Sequence, residues 1–140
     1  MIRYLHRLRV RYSDTDAMGI VYYSRYLEFF EAARSDMLRS LGLPYSDFEQ
    51  AGYALPVVEA HCRYFRGARF DQLLIIECRI AGITAARLRI DYLVSGSESG
   101  SNLAEGYTIH AFTNQKGRPI KPPPVFTDLI TTNRETQNAQ

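Results

Sequence analysis

Hydrophobic residues recur along this chain with two periods, and the change from one to the other marks its organisation. Residues 7–12 alternate strictly, with Leu8, Val10 and Tyr12 on one side and Arg7, Arg9 and Arg11 on the other. Successive side chains of a strand point to opposite faces, so a period of two predicts a strand with one wet face. Small and acidic residues from Ser13 to Gly19 break the alternation and read as a loop. Beyond them Tyr26, Phe30, Ala33, Met37 and Leu41 recur at steps of three and four, with Leu27 and Leu38 widening the stripe. That spacing predicts a helix of about five turns over 23–41, stopped by Gly42 and Pro44.

A shorter helical turn is expected over 45–51, and strands over 55–65, 72–81, 87–94 and 103–113. Residues 95–101 read as a flexible hairpin loop, Pro122 to Pro124 as an extended segment, and 131–140 as a polar tail that frays. One strand, one long helix and then four strands joined by short connections imply an α+β domain over 1–130. Its sheet should be five-stranded and antiparallel, with the helix on one face. An exposed edge strand in such a sheet favours pairing with a second copy of the chain.

Composition narrows the class. With 46% hydrophobic and 23% charged residues in 140, the chain has the make-up of a globular protein large enough for one core. A formal net charge of +2 gives no argument for nucleic acid. The cations are nearly all arginine, however, and its planar fork suits phosphate. No run approaches the roughly 20 apolar residues of a membrane span, and the N-terminal segment lacks the apolar stretch of a signal peptide. Cys62 and Cys78 have no metal-ligand spacing around them and read as a reduced, buried pair in a cytoplasmic protein.

The candidate chemistry lies between Asp14 and Tyr26. Two carboxylates, Asp14 and Asp16, sit in a loop that runs through Gly19 into the long helix. The first N–H groups of a helix lack internal partners and carry partial positive charge. A carbonyl oxygen placed there is polarised, and the oxyanion formed on attack is stabilised. A carboxylate nearby can attack the carbonyl or activate a water to do so. Residue chemistry alone leaves the matter open, because Asp equally caps helices and orders turns.

The run Asp14-Thr15-Asp16-Ala17-Met18-Gly19-Ile20-Val21-Tyr22-Tyr23, followed by Tyr26, resembles the signature of the 4-hydroxybenzoyl-CoA thioesterase family. That family includes the Tol-Pal-associated acyl-CoA thioesterases. The resemblance spans residues 7–130 and takes in the segment from Tyr64 to Asp71 ahead of the third strand. It implies the hotdog fold, a long helix wrapped by an antiparallel sheet, assembled as dimers and often as homotetramers. It implies hydrolysis of acyl-CoA to free acid and CoA with no metal or organic cofactor.

By the same resemblance Asp16 is the nucleophile or general base, and Tyr23 lends its backbone N–H to the thioester carbonyl. Gly19 matches the family glycine, and Asp14 organises the loop. Tyr22 and Tyr26 are expected to line a pocket for a short, branched or aromatic acyl group. Val57 and Glu59 lie in the strand that, in relatives, faces the acyl group from the neighbouring subunit. Arg66, Arg69 and Arg87 are the candidates for the CoA phosphates. Stretches at 54–58 and 84–87 also resemble 1,4-dihydroxy-2-naphthoyl-CoA thioesterases and plant acyl-ACP thioesterases. Acyl-ACP hydrolysis is therefore one alternative, and a non-catalytic acyl-CoA-binding hotdog module is the other.

Overall fold

The two periods come together around a single crossing of helix over sheet. The protein is seen here as a computed structural model that describes residues 2–138. In chain order it comprises β1 (Arg3–Arg9), α1 (Arg25–Ser40), α2 (Tyr45–Gln50), β2 (Tyr53–Ala54) and β3 (Val57–Tyr64). There follow β4 (Leu73–Thr84), β5 (Arg87–Gly96), β6 (Asn102–Ala111), β7 (Thr113–Asn114) and α3 (Pro124–Asn138). The five long strands form one antiparallel sheet in the order β1-β4-β5-β6-β3, and β2 pairs only with β7. This is the α+β hotdog arrangement the sequence predicts.

The sheet presents Leu74, Ile76, Cys78 and Ile80 of β4 and Leu88, Ile90, Tyr92 and Val94 of β5 to the core. Against that face α1 buries Tyr26, Phe29, Phe30, Ala33, Met37 and Leu38. Phe30 lies flat on Tyr92, with ring centroids 4.2 Å apart and planes 7° from parallel. Gly106 of β6 is the other half of that seat. A Cβ there would stand 2.8 Å from the Phe30 ring and 2.2 Å from the His61 carbonyl oxygen, so a side chain is sterically excluded. The far edge strand β3 is largely exposed, meeting α1 chiefly through Tyr64, which lies edge-on to Tyr26 at 5.2 Å.

Three expectations need correction. The first strand occupies Arg3–Arg9 rather than 7–12. Leu8 and Val10 do turn inward, but Tyr12 enters a 3-10 turn and is 77% exposed. The cause is local: the Asp14 carboxylate accepts the Arg11 backbone N–H at 2.8 Å and curls the chain out of the sheet. On α1 the buried stripe takes Phe29 in place of Leu27, which stays 40% exposed. Finally, the polar tail expected from 131 is helical through Asn138, and residues 139–140 lie outside the described residues. Pro124 opens α3, where its missing N–H costs no bond. One turn apart, Phe126 and Ile130 are buried, Phe126 meeting Phe48 and Phe112 edge-on at 5.9 and 5.3 Å.

Three buried groups, His110, Thr108 and Tyr92, form one hydrogen-bonded chain. His110 Nδ1 donates to the Leu55 carbonyl at 3.0 Å, which leaves Nε2 to accept from the Thr108 hydroxyl at 2.8 Å. Thr108 in turn accepts from the Tyr92 hydroxyl at 2.7 Å. Burial pushes the His110 imidazole down to about 4, with the Arg34 charge acting the same way and the Leu55 hydrogen bond opposing. The folded protein therefore binds fewer protons than the unfolded chain between about pH 4 and 6.5, so stability falls as pH drops through that window. The full effect is about 3 kcal/mol. Thermal melts across this range should show wild type losing stability towards acid more steeply than His110→Gln; parallel slopes would acquit His110.

Candidate active site

A tight loop carries the chain from the sheet into α1 and displays Asp16 at its bend. The Asp16 N–H donates to the Ile20 carbonyl at 2.9 Å, and the Gly19 N–H returns to the Asp16 carbonyl at 3.0 Å. Gly19 has φ +79°, a left-handed conformation that glycine adopts without strain. Bridges Thr15–Val21 and Ile20–Arg69 flank the bend, and Val21 N–H donates to the Ala68 carbonyl at 2.8 Å. The loop is thus laced to the segment that follows β3.

The two carboxylates in this loop have opposite surroundings. Asp14 is fully buried and receives the Arg11 backbone N–H at 2.8 Å and its guanidinium at 3.1 Å. Burial alone would raise its pKa, but the hydrogen bonds and charge of Arg11 outweigh that and hold it below the usual carboxylate range. Its carbonyl also accepts the Tyr22 N–H at 2.9 Å. Asp16 is half-buried, and one of its oxygens accepts the Met18 N–H at 2.8 Å. The other has no hydrogen-bond partner among the described residues. Asp14 is the loop organiser that the sequence suggests, and Asp16 is the carboxylate left available.

A cavity of about 440 Å³, chiefly apolar, opens beside Asp16. Its walls are Met18, Ile20, Tyr22 and Tyr23 from the loop, Tyr26 from α1, and Tyr64, Phe65 and Arg66 from the end of β3 and the turn after it. The Tyr23 N–H, immediately ahead of α1, has no acceptor among the described residues. Ser24, at the cap position, makes no side-chain cap bond, so the helix start is open to a ligand. Tyr26 is a floor more than a wall, only 2% exposed, with its hydroxyl accepting the Ala68 N–H at 3.4 Å. Its phenol pKa is raised by burial.

Of the residues the sequence suggests, the structure brings Asp16, Tyr22, Tyr23, Tyr26 and Arg66 to this cavity. Gly19 and Arg69 sit beside it, with an Arg69 guanidinium nitrogen 3.7 Å from where a Gly19 Cβ would be. Val57 and Arg87 lie elsewhere. Tyr64 is paired with Ala104 of β6, whereas Val57 is paired with His110 and Arg87 with Ala111. They stand roughly 20 Å away along the sheet at about 3.3 Å per residue. Glu59 lies on the outer face, opposite Ile109 and accepting the Tyr107 hydroxyl at 3.0 Å. A bulge between Val57 and Glu59 reverses the alternation there, so the two do not share a face. Tyr64 and Phe65 are walls that pattern reading missed, although both belong to the 64–71 segment it singled out.

The chain is also similar to proteins of known family and fold. Residues 10–130 match the thioesterase-like superfamily. An acyl-CoA thioesterase of Haemophilus influenzae is 38% identical over 82 residues, 58% of this chain and 60% of that protein. A 1,4-dihydroxy-2-naphthoyl-CoA hydrolase of Synechocystis is 30% identical over 124 residues, 86% of this chain and 90% of that protein. The solved structure of a hypothetical protein from Thermus thermophilus superposes with a TM-score of 0.86 at 35% identity. That match covers 93% of this chain and 96% of the other.

The loop geometry makes Asp14 a stability residue. Asp14→Ala leaves the Arg11 N–H and the loop unanchored and should cost about 1–3 kcal/mol in urea denaturation. An unchanged midpoint would mean that the loop is held by its backbone bonds alone.

Proposed function

The chain belongs to the thioesterase-like superfamily, and we propose that it hydrolyses a short-chain, branched or aromatic acyl-CoA to the free acid and CoA. The observation that carries this reading is the pairing within one apolar cavity of a carboxylate with an unengaged oxygen, Asp16, and an unengaged helix-start N–H, Tyr23. The thioester carbonyl oxygen takes the Tyr23 N–H, and attack on the carbonyl carbon moves negative charge onto that oxygen, where the helix terminus stabilises it.

Two versions of the attack suit these groups. In one, Asp16 adds directly, the C–S bond breaks, the CoA thiolate leaves and takes a proton, and water hydrolyses the acyl–Asp16 anhydride. In the other, Asp16 removes a proton from water as the water adds, the C–S bond breaks, and the CoA thiolate leaves and takes a proton, which returns Asp16 to its ionised form. Neither version as drawn calls on a metal or an organic cofactor. Tyr22, Tyr64 and Phe65 would contact the acyl group, and Arg66 and Arg69 would meet CoA phosphates. Acyl-ACP hydrolysis would use the same chemistry, and relative rates on CoA and carrier-protein thioesters separate the two.

The working unit we propose is a dimer, or a dimer of dimers, built on β3. The opposite edge, β1, is lined by Arg3, Arg7 and Arg9, which discourage pairing. The β3 edge carries exposed Val57 and Val58. An antiparallel β3–β3 pair about a two-fold axis runs the Val57 end of one strand beside the Tyr64 end of the other. The partner's Val57 would then reach the cavity from which this chain's own Val57 is remote.

Asp16→Asn should lower steady-state hydrolysis by about 10²–10⁴-fold while leaving the melting temperature nearly unchanged. Full activity in Asp16→Asn would sink the carboxylate mechanism, and a CoA-binding protein inert on every thioester would favour the non-catalytic module. Sedimentation equilibrium should give two or four times the 16.0 kDa chain mass; a monomer at assay concentration would overturn the β3 pairing.

A further inference from the structure

The donor proposed for the thioester oxygen is only as well aimed as the backbone of Tyr23. That N–H belongs to the peptide ahead of Tyr23, whose carbonyl, that of Tyr22, accepts the Arg25 N–H at 2.9 Å. The bond closes a turn through Tyr23 and Ser24, so it holds the N–H only while the peptide between those two residues keeps its orientation. The Tyr23 carbonyl receives only a long bond from its own helix, the Tyr26 N–H at 3.4 Å, while the Leu27 N–H goes to Ser24 instead. The near partner of that carbonyl comes from another element: the Tyr64 hydroxyl donates to it at 2.9 Å, across 41 residues of sequence.

We infer that Tyr64 is a positioning residue for catalysis, its hydroxyl clamping the Tyr23 carbonyl so that the adjoining Tyr23 N–H stays aimed into the cavity. This rests on the proposed role of that N–H. Tyr64 is suited to the task on three counts. Its ring is braced edge-on against Tyr26 at 5.2 Å, so the hydroxyl does not wander. Burial pushes its phenol up to about 12, with neighbouring Cys62 adding to the rise, so the hydroxyl keeps the proton it donates. It also ends β3, so the clamp ties the helix start to the sheet.

Tyr64→Phe removes the hydroxyl and keeps the ring. On the acyl-CoA that wild type hydrolyses best, kcat should fall about tenfold, since small misplacements of a donor already cost that much. KM should stay within about twofold, and the melting temperature should drop by no more than about 4 °C. A residue that merely supports packing would lower the melting temperature and leave kcat alone. Wild-type kcat in Tyr64→Phe beside an inert Asp16→Asn overturns the role of Tyr64 alone. An active Asp16→Asn overturns the carboxylate reading instead, whatever Tyr64→Phe does.

Discussion

The seat of Phe30 on Tyr92 and Gly106 fixes where α1 may touch the sheet, and the position of the site follows from it. A flat ring stack at 4.2 Å leaves no slack above β5, and a Cβ at 106 would meet Phe30 and the His61 carbonyl at once. Tyr23 lies seven residues ahead of Phe30, about 10 Å along a helical path. The seat therefore delivers the start of α1 to the end of the sheet where β6 begins and β3 ends, next to Tyr64. Raising the helix off Gly106 would carry the Tyr23 N–H away from the wall that completes its cavity.

Within the loop, two aspartates two residues apart are driven to opposite behaviour by what surrounds them. Asp14 is enclosed, and enclosure would raise its pKa if Arg11 did not supply a backbone donor and a guanidinium. So satisfied, it has little capacity to spare for a substrate. Asp16 accepts one bond, from the N–H two residues on, and that bond orients the carboxylate without consuming it. The organised carboxylate makes the available one possible, because Asp14 also holds the Tyr22 N–H and thereby the approach to α1.

Much of this was legible in the chain. The helix stripe at steps of three and four survives nearly residue for residue, and the long strands keep their places because β4 and β5 bury one face throughout. What failed did so for identifiable reasons. The strand period through Tyr12 is cut short by a side chain, Asp14, that competes for the Arg11 N–H. The helix after Pro124 is hidden because three prolines look like an end to helix, when the last of them is a good first residue. Glu59 keeps its period of two with His61, yet a single bulge at Val57/Glu59 sets which face that period addresses. No pattern in 55–65 announces the bulge. The distinction between Asp14 and Asp16 was likewise invisible to spacing and needed either the family signature or the hydrogen bonds.

The charge balance of the proposed reaction suits a site with only one positive pole. When Asp16 attacks, or takes a proton from the water that does, its negative charge passes to the carbonyl oxygen, so the net charge in the cavity does not change. Two anions never have to be accommodated together. A helix start, equivalent to roughly half a positive charge, is then matched to the task, provided its N–H points at the oxygen as the charge arrives. That places the burden on direction more than on field strength. Direction is what the glycine seat under Phe30, the Asp14 anchor and the lacing of 20–21 to 68–69 all serve. Arg66 and Arg69, outside this exchange, remain free to answer the charges a CoA ester brings with it.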